Sequence, residues 1–503
     1  MSSHKPPAPA SAAPAIAVPP VLPQLHDSLL GLPLRSLLER GAIALTAGAS
    51  IRDAARCMRG AGVSSLLITS EPDAQGELLG LVTDRDLRNK VVAEGLDTSG
   101  PVLSIATRKV LTLPAQAPVF DAMLLLARHG IHHLPVVDGH RLLGVLSANR
   151  VNEQHSSSPL ALAARVHRQD SVDALAAVAG EVGMLQRQLA AADLSAYNTG
   201  HMLSAITDAI TVRLIELAQA RLGPPPVPFA WVAAGSQARA EQTARTDQDN
   251  CMVLDDAYDE ALHGAYFGEL ARFVCDGLNA CGYVHCPGEM MAMTDTWRQP
   301  QRRWLQYFHD WVQRPQPKAL MLTCVFFDLR TVYGTGDLLD SLRREVLAHT
   351  RGNSIFLAYM TSNALGHTPP LGLFGRMSTS RSGEHRGTID LKTNGVVPIV
   401  DLARVYALAA GVAAVNTHDR LLAMADGGEL SAEGSRDLRD ALEFLAALRI
   451  RHQARQMAAG VKPDNHLRPD SLSSFERAQL KQAFAVVQTL QSVMAQRYTA
   501  GRF

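Results

Sequence analysis

Aromatic side chains make up only 5% of this 503-residue chain, cysteine occupies six positions, and net charge is absent, with 48 Lys and Arg against 48 Asp and Glu. Each scarcity removes a class of function. Without a basic excess, a long basic run or an aromatic-interleaved patch, the chain lacks the electrostatic footprint of a nucleic-acid binder, so transfer RNA or messenger RNA is not an expected partner. The six cysteines (Cys57, Cys251, Cys275, Cys281, Cys286, Cys324) are scattered and form no C-x-x-C pair. That is the pattern of reduced thiols in a cytoplasm, although Cys281 and Cys286 lie close enough in sequence to share a metal. Long apolar runs are missing too: Val405 to Val415 is too short to span a bilayer and reads as a buried helix, so no membrane anchor is expected. Residues 1–24 are rich in Pro, Ala and Ser but lack the charged start, Leu-rich centre and cleavage site of a signal peptide; they read as a disordered tail. The length suffices for three or four domains, each burying its own core.

What is present begins with a repeat between residues 41 and 150. Ala49-Ser50-Ile51-Arg52-Asp53-Ala54 corresponds to Ala117-Pro118-Val119-Phe120-Asp121-Ala122, Gly62-Val63-Ser64-Ser65 to Gly130-Ile131-His132-His133, and Gly80-Leu81-Val82-Thr83 to Gly144-Val145-Leu146-Ser147. Each copy reads as helix, strand, turn, strand, helix. The pair resembles tandem CBS domains. That resemblance implies an adenine-nucleotide site in which a Thr or Ser, followed three residues on by Asp, holds phosphate and ribose. Thr83 and Asp86 fit, whereas the second copy has Ser147 but Arg150 in place of the acid, so one intact site is expected. The alternative for Thr83 and Asp86 is to cap the helix that starts near Leu87.

The richest chemistry follows the apolar run Phe229–Ala234, a buried strand placed after Pro224-Pro225-Pro226. Gly235 and Ser236 close it with a small-residue turn suited to gripping phosphate, since glycine lets backbone approach a bulky anion and the hydroxyl can bond its oxygens. Ten residues later, Asp247-Gln248-Asp249 enters a second strand-like run, Asn250–Leu254. Residues two apart share a strand face, so both carboxylates converge, and such a pair asks for a divalent cation, with Mg²⁺ on a nucleotide the best match. A third acid is expected at Asp328, ending the apolar run 320–327 as a strand. Three carboxylates hold two Mg²⁺ ions for in-line phosphoryl transfer, with Asp328 also the general base. Arg239 and Arg245 are the candidate partners for the triphosphate; salt bridging to Glu241 or Asp247 is their alternative.

The stretch Gly235-Ser236-Gln237-Ala238-Arg239-Ala240-Glu241-Gln242-Thr243-Ala244-Arg245-Thr246-Asp247-Gln248-Asp249-Asn250 closely resembles the signature of the polymerase-β-like nucleotidyltransferase superfamily, and within it the bacterial CBS-associated branch related to the uridylyltransferase that acts on the PII signalling protein. Gly282-Tyr283, Cys286-Pro287-Gly288, Trp297-Arg298-Gln299, Phe326-Phe327-Asp328-Leu329-Arg330, Gly383–Lys392 and Pro398–Ala403 extend the likeness over roughly the last three hundred residues. Alanine stands at 238 and 240 where the family pattern favours glycine; a positive φ at either would cost about 1 kcal/mol or more.

The resemblance implies an α/β multidomain protein: a tandem CBS pair (residues 25–155), a helical linker (156–225) in which two helices join sensor to catalyst, a polymerase-β-like α/β domain with a mixed sheet (226–348), and a C-terminal helical bundle for substrate (349–503). The Gly-bounded loop carrying Glu384-His385-Arg386 and Asp390-Leu391-Lys392 reads first as solvated loop charge, with closure over nucleotide or acceptor as the alternative. The expected activity is Mg²⁺-dependent transfer of a nucleoside monophosphate from an NTP to a hydroxyl, on a protein as in the PII-modifying enzymes, controlled by adenine nucleotide at the CBS pair of a cytoplasmic homodimer. A small-molecule acceptor, and a non-catalytic adenine-nucleotide sensor, are the competing readings.

Overall fold

The computed structural model describes residues 16–17, 33–38, 40–71, 76–139, 141–148, 159–316, 324–372, 376–380 and 382–499. Apart from 16–17, the expected tail lies outside the described residues, as do Arg150 and Leu320–Thr323. The chain divides into two compact units, residues 1–164 and 165–503.

In the first unit the repeat becomes two copies of one topology. Ala44–Thr46 runs parallel to Ser65–Thr69, which pairs antiparallel with Leu78–Thr83; likewise Leu111–Pro114 runs parallel to His133–Asp138, which pairs antiparallel with Arg141–Ser147. The helices Ile51–Ala61 and Val119–His129 end alike, at Gly62 and Gly130 with φ of 63° and 60°, the left-handed cap that glycine adopts without a Cβ penalty. Ser50 caps the first helix by accepting the N–H of Asp53 at 3.0 Å. Ile51, Ala54 and Met58, spaced for one helix face, pack on Leu66, Ile68 and Val82.

The second unit is built on a mixed four-stranded sheet in the order Arg298–Pro300, Asn250–Leu254, Phe229–Ala234, Leu329–Gly334. The first pair is parallel and the other two are antiparallel. Phe229–Ala234 is buried along its whole length, as its unbroken apolar sequence requires. The scarce aromatics are concentrated on one flank: Trp297 lies 4.4 Å from Phe326 between ring centroids, and Trp304 packs on Phe326 while donating its indole N–H to Met252 O at 3.0 Å.

Two expectations are corrected here. No strand ends at Asp328: Cys324–Phe327 forms a tight helical turn, the N–H of Asp328 returns to Val325 O at 3.1 Å, and the strand begins afterwards at Leu329. A short apolar run carries no periodicity that separates a strand from a buried turn. The linker's helical spacing from Val172 to about Leu222, which reads as two helices, is instead, after Pro159–Val166, three: Val172–Ala179, Val182–Ala191 and Ala196–Leu222. The last is largely buried within the second unit and braces its sheet. Gly200 is what lets it come so close, because a Cβ there would stand 2.6 Å from Ala240 O.

After the sheet come Ser354–Ala364, Val397–Ala410, Thr417–Asp426, Ala432–Ala458 and Ser474–Thr499, whose apolar faces share one core with the sheet. The helix expected over Val405–Val415 stops at Gly411, with φ of 74°. No described helix is long and apolar enough to cross a membrane.

Candidate active site

The site forms where the central strand ends. Successive backbone groups in a strand point to opposite sides, so the N–H of Ala234 donates to Asp249 O at 2.9 Å while that of Gly235 donates to Asp328 O at 3.0 Å. The two acidic residues therefore flank the same turn. Gly235 has φ of 57°, and a Cβ there would lie 2.9 Å from Val325 Cγ2 and 3.0 Å from Asp249 Oδ2. Glycine is needed for both conformation and space. Ser236 follows, half-buried, in the short helix Gly235–Ala238. This turn is held from behind: Gln237 Nε2 donates to Asp208 Oδ1 at 3.0 Å, and Arg330 clamps Asp208 at 2.8 and 3.0 Å while donating to Gln237 O and Ala238 O. Of the two alanines, Ala240 takes a φ of 57° and so carries the strain anticipated for it; Ala238 stays helical.

Asp247 and Asp249 are brought together. Asp247–Gln248 pairs in parallel with Val284–His285, which also delivers Cys286, and one ligand atom from each of Asp247, Asp249 and Cys286 lies within 4.8 Å of the others. Burial, and then the neighbouring charge of Asp247, push the Asp249 carboxyl up to about 6, against the opposing pull of Cys286, Lys392 and Arg239. Burial and the same Asp249 charge push the Cys286 thiol up to about 11. The site thus concentrates negative charge that nothing in the protein fully offsets. Lys392 Nζ stands 3.9 Å from Asp247 Oδ1. The donor set fits a divalent cation: two converging carboxylates suit a hard ion such as Mg²⁺, and the adjacent thiol adds a softer donor.

Asp328 is not brought to that cluster, and here the expected triad of metal-binding carboxylates is corrected. Its side chain is fully buried and is held by Arg239 Nη1 at 2.7 Å, Arg404 Nη2 at 2.6 Å and Nε at 3.1 Å, and Arg420 Nη1 at 2.6 Å. Burial opposes its ionisation, yet the charges of Arg404, Arg420 and Arg239 hold the carboxyl far below the usual range. A carboxylate so compensated is a poor proton acceptor, and its oxygens are already occupied. The two ions expected from three carboxylates are left with two. Arg239 is equally engaged, pairing with Glu241 at 2.7 Å as well as Asp328, while Arg245 is exposed and forms no ion pair among the described residues. Arg239 is thus taken up within the protein, whereas Arg245 stays open to solvent.

In the first unit, Thr83 and Asp86 bond to each other. Thr83 Oγ1 donates to Asp86 Oδ2 at 2.7 Å, Asp86 accepts the N–H of Thr83 at 2.9 Å, and Lys90 Nζ lies 2.7 Å from Asp86 Oδ1. This is a capping box on Asp84–Asp86, the second of the two roles the sequence allowed. A cavity of about 290 Å³ opens elsewhere, lined by Arg40, Gly62–Ser65, His133 and Ser147. It contains the Ser of the second copy and neither Thr83 nor Asp86.

Sequence reasoning missed Arg404, Arg420, Asp208 and Arg449 as parts of this region; it placed Lys392 in a charged loop but not beside Asp247. Asp401 and Arg404 carried a signal, a charged pair inside the otherwise apolar Val397–Ala410; Arg404 Nη1 does donate to Asp401, which also meets His367 Nδ1 at 3.1 Å. Arg420 had none.

Residues 180–318 match the family described as "Putative nucleotidyltransferase DUF294", residues 354–498 match "Putative nucleotidyltransferase substrate binding domain", and residues 34–93 and 102–153 match the CBS domain. The CBS domain-containing protein YhcV of Bacillus subtilis is 29% identical over 116 residues, 22% of this chain and 80% of that one. A CBS domain-containing protein of Arabidopsis thaliana is 28% identical over 110 residues, 22% of this chain but only 20% of its own length. Among solved structures, a CBS domain protein from Pyrobaculum aerophilum complexed with AMP is 28% identical, covers 26% of this chain and 98% of that one, and has a TM-score of 0.23. The chain therefore carries a CBS pair and, over residues 180–318 and 354–498, the two parts of what the family descriptions call a putative nucleotidyltransferase.

Proposed function

We propose that the second unit transfers a nucleoside monophosphate from an NTP to a hydroxyl, and that adenine nucleotide in the first unit controls it. The observation that carries this reading is the convergence of Asp247 and Asp249 beside the Gly235-Ser236 turn. A divalent ion held by the two carboxylates would bind the triphosphate and polarise the phosphorus under attack. The chain's own residues do the rest. The glycine turn leaves room for phosphate oxygens, Ser236 offers a hydroxyl beside them, and Arg330 with Asp208 keeps the turn rigid. Asp328 serves as the anchor that ties Arg239, Arg404 and Arg420 behind the turn, not as the base. The resemblance of the Gly235–Asn250 stretch to the PII-modifying enzymes favours a protein hydroxyl as acceptor over a small molecule. For control, the cavity at Ser147 approaches the size of a nucleoside pocket and offers Arg40 as a cation for phosphate.

Incubating the protein with each labelled NTP, Mg²⁺ and cell extract tests the proposal: label moves to a protein band, and Asp247→Asn abolishes the transfer. Label on small solutes alone would replace the acceptor, and no Asp247-dependent label under any condition would contradict the transferase reading. The arginine cage around Asp328 favours a second reading, nucleotide binding without turnover. It predicts Asp247-dependent NTP affinity with no pyrophosphate released.

A further inference from the structure

Two cations from the C-terminal part of the second unit converge on the acid pair. Lys392, 3.9 Å from Asp247 Oδ1, is fixed through its backbone: Asp390 Oδ1 accepts the N–H groups of Lys392 at 2.9 Å and Thr393 at 3.0 Å, and Ile389–Asp390 pairs antiparallel with His466–Leu467. Its ammonium remains 43% exposed, so it is held near Asp247 but accessible. Arg449 comes from the long helix Ala432–Ala458. Its Nε donates to Asn465 Oδ1 at 2.7 Å and its Nη2 reaches Thr243 Oγ1 at 3.5 Å, four residues before Asp247.

These partners set Arg449 apart. Arg239, Arg404 and Arg420 each bond a carboxylate, whereas Arg449 forms no ion pair with one among the described residues. Burial pushes its guanidinium down to about 10, and the charges of Asp390 and Asp247 act against that. A half-buried guanidinium bonded to an amide and a hydroxyl, with carboxylate charge nearby but no direct ion pair among the described residues, keeps donors to offer a phosphate. It also lines a cavity of about 50 Å³ with Thr243, Gln242 and Arg439, as do Glu241 and Glu443. That volume suits a few waters or a group the size of a phosphate.

We propose that Lys392 and Arg449 bind the phosphate chain of the nucleotide, so that the C-terminal part of the unit supplies positive charge that Arg239, tied to Glu241 and Asp328, does not. The inference rests on the nucleotide reading of Asp247 and Asp249. Lysine contributes a compact charge at the acid pair, and arginine a planar fork able to take two oxygens of one phosphate. Nucleotide then joins the segment at Asp390 and the helix at Arg449 to the sheet that holds the acids, and binding requires both parts of the unit.

Calorimetry on the full chain with Mg²⁺ and each of ATP, UTP, CTP and GTP tests this, reading only the binding that Asp247→Asn removes. Lys392→Ala and Arg449→Ala are each expected to weaken triphosphate about 10-fold or more, the monophosphate less, and the bare nucleoside hardly at all. Lys392→Arg restores most of the loss and Lys392→Gln does not. Melting temperatures report folding, and Arg449→Lys, which keeps the charge and loses the fork, replaces Arg449→Ala if the latter does not fold. A wild type that binds no triphosphate overturns the nucleotide reading and this inference with it. A wild type with Asp247-dependent affinity, matched within about twofold by both the Lys392 and Arg449 variants, overturns this inference alone.

Discussion

Asp249 and Asp328 bracket the end of one strand, accept hydrogen bonds from consecutive backbone N–H groups, and belong to opposite electrostatic worlds. Asp249 is crowded by Asp247 and pushed up to about 6; Asp328 is enclosed by three guanidiniums and held far below its ordinary value. The same side chain, on two sides of one turn in space, is frustrated in one place and fully compensated in the other. Uncompensated charge is poised for a ligand, whereas compensated charge holds structure. On the proposed function, chemistry belongs to Asp247 and Asp249 and stability to Asp328.

The largest expected effect comes from breaking the compensated side. Asp328→Ala leaves Arg239, Arg404 and Arg420 buried around an empty centre and should cost about 3–5 kcal/mol of stability, measured by denaturant unfolding. The frustrated side should respond in the opposite direction. In metal-free protein, Asp249→Asn is expected to gain about 1–3 kcal/mol at pH 8, since a raised folded pKa is a penalty on the ionised state. The sign follows from linkage: Asp249 binds its proton more tightly folded than unfolded, so the penalty is complete above about 6 and fades as pH falls through that value. Unfolding at pH 5, 6, 7 and 8 in chelator should therefore show the Asp249→Asn gain shrinking toward pH 5. The stabilising effect of Asp328 should persist throughout that range, because its depressed carboxyl loses its contribution only at far lower pH.

The turn between the two acids offers finer tests. Gly235→Ala adds a Cβ against Val325 and Asp249 at a left-handed residue and should destabilise by about 1–3 kcal/mol, while lowering nucleotide affinity by displacing the Asp249 carboxylate. Ala240→Gly relieves the strain at φ 57° and should stabilise by up to about 1 kcal/mol. The smallest effect is expected in the first unit, where Thr83→Ala removes a capping box, costs about 1 kcal/mol, and leaves AMP affinity unchanged; a phenylalanine at Ser147 fills the cavity and should abolish it.

Local patterns in the sequence carried much of this. The repeat disclosed both copies of the first unit because glycines at 62 and 130 and apolar residues at fixed offsets write the same helix and strands twice. The strand before Gly235, the need for glycine there, and the approach of Asp247 to Asp249 all follow from alternation and small-residue chemistry. Orientation between distant segments was hidden. Whether Asp328 turned toward Asp249 or away depended on Arg404 and Arg420, more than seventy residues on, and no periodicity records that a guanidinium will reach a particular carboxylate. Arg449 was obscure for the same reason, and Lys392 was legible only as part of a charged loop, not as the neighbour of Asp247. Thr83 and Asp86 were ambiguous for another reason: one spacing serves both a ribose site and a helix cap, and the cap is what forms here.

The central claim is tested most directly by measuring Mg²⁺-dependent NTP affinity and unfolding stability together in Asp247→Asn/Asp249→Asn and in Asp328→Asn. The account predicts that the double variant loses nucleotide affinity about 10-fold or more with stability unchanged or raised, while Asp328→Asn chiefly loses stability. Retained affinity in the double variant, or a folded and stable Asp328→Asn that binds no nucleotide, would contradict it.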